Sequence, residues 1–409
     1  MARRLRVLGW AVIAATPILV LGALEMAARL FDLRPAGGPE AALPAWLDRN
    51  IQVKEGRWAE LLSGSPRDLT NYYKTYLWDR YLFYRLAPGL DLPLTDVTAP
   101  PEIRERTRWI FHTNGRGFNA REVSYAKPAG AIRIVALGDS STFGWGVESS
   151  LAYPHVLEEV LRRRHPGLRI EVVNLGVCGY STLQGRVLLQ REGTRYEPDV
   201  VILSYGSNDY SRVPESFDEA YERNLGWLGA IRGVLIHSRA YQVYASYLMR
   251  AVGSRASAGE PGQAAGVLNV GPQKSRDNLV AMVRTTRDGG ADPILVTNCV
   301  PGEMSEPIRA AAVETSTPIL DTAQLLEAAV PDLMAGRAFQ KEMLHLRGLY
   351  GAAMMEEHPW LSVYLTDRCH PNPIGHRLIA ETLATKAEAT RAFAAAASQR
   401  PHSSSGVPP

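Results

Sequence analysis

The sequence predicts a three-layer α/β/α domain on a parallel five-stranded sheet, and three observations carry that prediction. Short β-branched runs recur at "AIRIVALGD" (131–139), "RIEVVNLG" (169–176), "PDVVILSYG" (198–206), "DPILVTNCV" (292–300) and "TPILD" (317–321). Each closes on Gly, Asn, Asp or Pro. Helical patterns lie between the first three, "AYPHVLEEVLRRRH" (152–165) and "TLQGRVLLQREGTRY" (182–196). Near-continuous apolar strands alternating with helices form parallel sheets covered on both faces. By analogy the strand order is flavodoxin-like.

The remaining segments follow in chain order. "MARRLR" precedes residues 7–24, an uncharged stretch of 18 that nearly spans a hydrocarbon core of about 30 Å. Arg3, Arg4 and Arg6 keep the N-terminus cytoplasmic by the positive-inside rule, which puts the rest of the chain in a periplasm or at an extracytoplasmic surface. A cleaved signal peptide is the competing reading, but "LEMAARLF" offers no clean small-x-small cleavage site. Residues 1–31 are therefore read as cytoplasmic residues plus transmembrane anchor. Residues 32–130, rich in Pro, aromatics and charges as in "NYYKTYLWDRYLFYRLAPGLDLPL", read as a membrane-proximal region packing on the domain that follows.

The α/β domain spans 131–390, with insertions at 211–275 and 322–366 expected to shape or cover a binding site. The first insertion contains "GSRASAGEPGQAAG", a mobile-loop composition. Residues 391–409 read as a disordered tail.

Composition narrows the function classes. The 409 residues carry a net charge of +3 with no dense Lys/Arg block, which argues against a nucleic-acid partner. Cys178, Cys299 and Cys369 are too few and scattered for a zinc site or a disulfide framework. They read as small buried residues, with one disulfide as the alternative outside the cytoplasm. No metal or organic cofactor is expected.

Ligands of open parallel sheets bind outside the carboxyl ends of the strands. Those ends hold "GDSS" (138–141), "NLGVCGYS" (174–181), "GSND" (206–209), "NCVP" (298–301) and Asp321, with "DRCHPNPIGH" (367–376) near the C-terminus. Over roughly residues 131–385 this set resembles the SGNH, or GDSL, family of serine ester hydrolases. "GDS" matches its nucleophile block, "NLGVCG" its second block, "GSND" its G-x-N-D block and "DRCH" its D-x-x-H block. "GDSS" departs from the eponymous G-D-S-L, and Ser207 stands where Gly is frequent. "FHTNGRGFNARE" (111–122) looks like a stretch found upstream in membrane-anchored bacterial members and receives no catalytic role.

The resemblance implies Ser140 as nucleophile, His370 as base and Asp367 as the carboxylate orienting it. The oxyanion hole would be the N–H groups of Ser140 and Gly179 and the side chain of Asn208. The chemistry agrees. A serine hydroxyl attacks only when a base takes its proton, and a three-residue spacing lets acid and base converge within one turn. Glycine at 179 permits a turn whose N–H faces the site, and an asparagine amide donates where an aspartate could not.

The other polar residues are assigned structural roles. Asp139 accepts N–H bonds in its turn, Ser141 and Thr142 cap the helix that follows, and Asp209 is a turn residue. Gly176 is the tight turn ending its strand, Asp321 holds a loop, and His376 is a helix residue without catalytic part. The implied activity is hydrolysis of an ester-bearing small molecule, lipid or glycan. An O-acyltransferase or deacetylase of an envelope polysaccharide is the alternative, and an inactive envelope scaffold a further one. The oligomeric state is left open.

Overall fold

The computed structural model describes residues 16–17, 19–31, 33, 76–96, 99–213, 216–235, 238–241, 243–244, 267–297 and 302–398. The chain divides into two units, Met1–Tyr84 with Arg212–Val267, and Arg85–Ser211 with Leu268–Pro409.

The second unit holds the sheet. Its strands are β1 (Ala131–Gly138), β2 (Arg169–Gly176), β3 (Val200–Ser204), β4 (Asp292–Val296) and β5 (Ile319–Leu320). They pair in parallel in the order β2-β1-β3-β4-β5, the flavodoxin-like order expected by analogy. All eight residues of β1 are buried, as a strand covered on both faces must be. One of them is Arg133, whose register partner on β2 is Glu171. Its guanidinium donates to Glu171 Oε2 at 2.6 Å and to the Tyr196 carbonyl at 2.8 Å, so the buried charge is fully paired.

The helices of this unit include α1 (Ser140–Phe143), α2 (Tyr153–Arg164) and α3 (Thr182–Arg191). α2 buries Val156, Leu157, Val160 and Leu161, one face at helical spacing. α3 opens on a capping box formed by Ser181 and Gln184. Two further helices, α4 (Phe217–Leu225) and α5 (Trp227–Leu235), belong to the first unit.

C-terminal to them come α6 (Pro272–Asp288), α7 (Glu306–Thr315), α8 (Thr322–Met334), α9 (Gln340–Tyr350), α10 (Ala352–Glu357), α11 (Pro373–Glu388) and α12 (Arg391–Ser398).

One expectation is extended and one corrected. Part of the 322–366 insertion forms core: Leu326, Leu333, Met343, Leu346 and Met355 join the buried cluster that holds Ile134, Ile170 and Ile294, while Thr322, Leu326 and Tyr364 line the cavity beside Ser141. Each such fully buried side chain contributes about 1.5–3 kcal/mol, which outweighs exposure as a flap. The tail expected from 391 begins as α12, because Phe393 is buried beside the His165 ring at 5.5 Å. Residues 399–409 lie outside the described residues, as do 34–75 and the small-residue stretch 253–266.

Among the described residues no helix is long and apolar enough to cross a membrane. Most of the expected span, residues 7–15 and 18, lies outside them. Residues 85–130 pack onto the sheet unit through a hairpin of Asp91–Thr95 and Arg108–His112, with Phe111 stacked on Phe143 at 4.6 Å.

Candidate active site

Register brings the sequence motifs together. Gly138 pairs with Gly176 on one side and Ser204 on the other, so the loops that follow β1, β2 and β3 leave the sheet side by side. Gly176 is glycine for a reason other than a turn. A Cβ there would stand 2.3 Å from the Phe143 amide nitrogen, so its absence lets α1 lie against β2. Gly179 is the residue with left-handed geometry, at φ 81°, in agreement with the turn read from the sequence.

Ser140 is the first residue of α1 and is 7% exposed. The cap of this helix is Asp139, whose Oδ1 accepts from the Ser141 amide at 3.0 Å. This corrects the capping role expected of Ser141 and Thr142. A side chain reaches the first-turn amides from the position before the helix, not from within its first turn. The Thr142 hydroxyl instead bonds Tyr153 Oη at 3.0 Å. Ser141 lines a small cavity with Tyr153, Ser204, Thr297 and Thr322.

His370 arrives from the loop before α11. Asn372 caps that helix, accepting from the Ile374 and Gly375 amides, and Pro373 occupies its first position, where no N–H is needed. The Leu365 amide donates to the His370 carbonyl at 2.8 Å and the Asn372 amide to the Val363 carbonyl at 2.9 Å, which closes the loop into a tight stem. Within it, Asp367 Oδ1 accepts from the Cys369 and His370 amides at 2.9 and 3.0 Å. Arg368 between them takes a left-handed φ of 55°.

The result is a continuous relay. Asp367 Oδ2 lies 2.5 Å from His370 Nδ1, and His370 Nε2 lies 2.8 Å from Ser140 Oγ. Burial alone would lower the imidazole pKa, but the Asp367 carboxylate outweighs it and the net shift is upward. Burial pushes the Asp367 carboxyl up, but the charge and hydrogen bond of His370 hold it below its ordinary value.

The oxyanion candidates are less uniform. The amides of Ser140 and Gly179 have no hydrogen-bond partner among the described residues. Asn208, on the turn Ser207–Tyr210, directs Nδ2 to Asp139 Oδ2 at 3.1 Å and to the Tyr180 carbonyl at 3.0 Å. The Ser207 hydroxyl donates to the same Asp139 oxygen at 2.8 Å.

Asp139 therefore joins the serine loop to the asparagine loop, a link the sequence reading missed. It also missed Asn119, which is buried and donates to the Phe143 carbonyl at 2.6 Å while accepting from Ser149 Oγ at 2.6 Å. The signal was present: "FHTNGRGFNARE" places a polar residue among apolar ones directly before the domain.

The other assigned residues fall into place. Asp209 is fully buried and accepts from the Thr182 amide and hydroxyl at 2.8 and 2.6 Å. Asp321 caps α8 and pairs with Arg309 at 2.6 Å. His376 is fully buried, accepts from the Tyr153 amide at 3.2 Å, and burial pushes its pKa down to about 3. Cys178 is a buried thiol outside any disulfide, as expected of a small core residue. Cys369 is disulfide-bonded, which overturns that reading for its position. Cys299 lies outside the described residues. Among the described residues, no group of three or more His, Cys, Asp or Glu is placed to hold a metal ion.

The family model described as the GDSL-like Lipase/Acylhydrolase family matches residues 136–378, more than half of the chain, and contains all of these loops. The chain belongs to the GDSL-like lipase/acylhydrolase family. It is accordingly a hydrolase of ester bonds.

Solved structures similar to this GDSL-like chain include LAE5, an alpha/beta hydrolase enzyme from the metagenome of Lake Arreo, Spain. It is 18% identical, covering 67% of this chain and 97% of its own, with a TM-score of 0.35. A lipase/acylhydrolase from Enterococcus faecalis is 15% identical over 62% of this chain and 94% of its own, TM-score 0.37. Axe2, an acetylxylan esterase from Geobacillus stearothermophilus, is 17% identical over 63% and 94%, TM-score 0.35. No curated protein matches the chain.

Proposed function

We propose that this GDSL-like hydrolase cleaves carboxylic esters through an acyl-enzyme on Ser140 and works outside the cytoplasmic membrane. The observation that carries the chemistry is the 2.8 Å approach of His370 Nε2 to Ser140 Oγ, with Asp367 on the other ring nitrogen. Neutral His370 takes the hydroxyl proton as Oγ bonds to the ester carbonyl carbon. Asp367 holds the Nδ1–H tautomer and stabilises the imidazolium that forms. The tetrahedral oxyanion is received by the amides of Ser140 and Gly179. Asn208 supplies a third donor by redirecting the hydrogen it gives Tyr180. His370 then protonates the departing alcohol, and water repeats the sequence on the acyl-enzyme to release the acid.

Three observations support the location. Arg3, Arg4 and Arg6 precede the uncharged stretch 7–24. The described part of the N-terminal helix exposes a broad set of apolar residues, among them Leu19, Val20, Leu21 and Leu24 at 71, 51, 58 and 53%. Cys369 is disulfide-bonded, a state that persists in oxidising compartments.

The substrate class is an ester-bearing small molecule, lipid or glycan, and the same residues serve acyl transfer if a sugar hydroxyl replaces water as acceptor. The purified chain is expected to release p-nitrophenol from short acyl esters, and Ser140→Ala to abolish that release. Turnover unchanged in the variant contradicts the assignment, and product partition with added oligosaccharide separates hydrolysis from transfer.

A further inference from the structure

Helix α5 (Trp227–Leu235) carries apolar residues where a solvated helix carries polar ones. Trp227 is 72% exposed, Ile231 48% and Val234 74%. At about 100° per residue the three fall on one stripe of the helix.

The same unit ties this helix to the N-terminal one. The Leu235 carbonyl accepts from the Ser238 amide at 2.8 Å. The Ser238 hydroxyl donates to Glu25 Oε2 at 2.7 Å, and the amides of Arg239 and Ala240 donate to the Glu25 carboxylate at 3.0 and 2.9 Å. Glu25 is the first charged residue after the uncharged stretch 7–24. A membrane span built from that stretch ends at Glu25, where the carboxylate, its Arg29 ion pair at 2.7 Å and the polar groups of Ser238, Arg239 and Ala240 form a polar cluster that does not enter hydrocarbon. The C-terminal end of α5 is thus two hydrogen bonds from the level at which the span leaves the bilayer.

We propose that α5 lies in the outer interface of the membrane, with the Trp227–Ile231–Val234 stripe turned into the lipid. The occupant of this face is the bilayer. Trp at one end of the stripe suits the interface, and a helix lying in that plane buries its apolar face by about 5–10 Å. The inference rests on the reading of residues 7–24 as an anchor, and adds a second membrane contact beside it.

The test uses the full chain reconstituted in phosphatidylethanolamine–phosphatidylglycerol vesicles. A nitrobenzoxadiazole label is placed at Val234→Cys or, as control, at Leu344→Cys, which is 73% exposed in the other unit. The expected result is emission at 234 several-fold above that at 344. Nitroxide near the lipid headgroup should quench the 234 label at least twofold more than nitroxide deep in the acyl chains. If the chain floats with the vesicles while the 234 label stays unquenched by either lipid, the α5 inference is overturned and the anchor stands. Self-quenching at 234 that grows with protein density overturns it in favour of a second copy on this face. A chain that does not float overturns the anchor, and α5 with it.

Discussion

Asp139 accepts from the Ser141 amide, the Ser207 hydroxyl and the Asn208 side chain, at 3.0, 2.8 and 3.1 Å. Asp139→Asn turns one of those acceptors into a donor facing other donors. A buried donor left without a partner costs about 1–3 kcal/mol. The variant is expected to lose roughly tenfold or more in kcat with the fold retained, read by ester turnover and thermal melting. The raised His370 pKa sets the pH profile. Its base form exists only above that pKa, so kcat/KM should fall on the acid side with a midpoint above the ordinary imidazole value of 6.5. Asp367→Asn removes the carboxylate that raises it. The midpoint then moves down and kcat drops by on the order of 10³–10⁴. Stability follows the opposite limbs. The His370 contribution is full below 6.5 and is lost as pH rises through the folded pKa. The Asp367 contribution is present above 3.8 and is lost as pH falls through its depressed value. Ser140, Asp367 and His370 were legible because residue type and a three-residue spacing announce them. The tie from Asp139 to Ser207 and Asn208 was not, because it joins residues 68 and 69 positions apart that meet only across the sheet edge.

The short helix α1 is wedged against the end of β2, and Gly176 is what admits it: any Cβ would press on the Phe143 amide. Gly176→Ala is expected to cost about 1–3 kcal/mol of stability by overpacking and to displace Ser140. A lower melting temperature with depressed turnover, against unchanged KM, would record both. The strands were legible because full burial leaves uninterrupted β-branched runs, and the glycine-ended loops mark their carboxyl ends. The 322–366 segment was not. Its helices carry apolar residues such as Leu326 and Met343 at ordinary helical spacing, and that pattern does not say whether the face meets a core or a ligand. α12 was missed for a related reason, since its docking rests on a single aromatic, Phe393, two alanines and the Arg391–Asp292 pair, which an alanine-rich stretch does not announce.

At the scale of the molecule, the sheet unit presents its loops on one edge while the N-terminal helix and α5 expose apolar surface in the other unit. Cys178 is a buried thiol and Cys369 is bridged. Bridges consume cysteines in pairs, so a chain with three should show a single thiol, reactive only after unfolding. A thiol count with and without denaturant checks this, and three thiols in the oxidised protein would remove the disulfide's support for an extracytoplasmic location. The order of strands and the site blocks could be read from the sequence. An insertion at 211–275 could be read from its break in strand rhythm and its small-residue stretch; the grouping of Arg212–Val267 with Met1–Tyr84 could not, because nothing in the sequence relates two segments so far apart. The central claim is that Ser140 is an activated nucleophile, and active-site labelling tests it most directly. The full chain is treated with a serine-reactive fluorophosphonate and mapped by peptide mass. The account predicts one adduct, on Ser140, absent from His370→Ala and from acid-denatured protein. An unlabelled Ser140, or an adduct on Ser141 in its place, would contradict it.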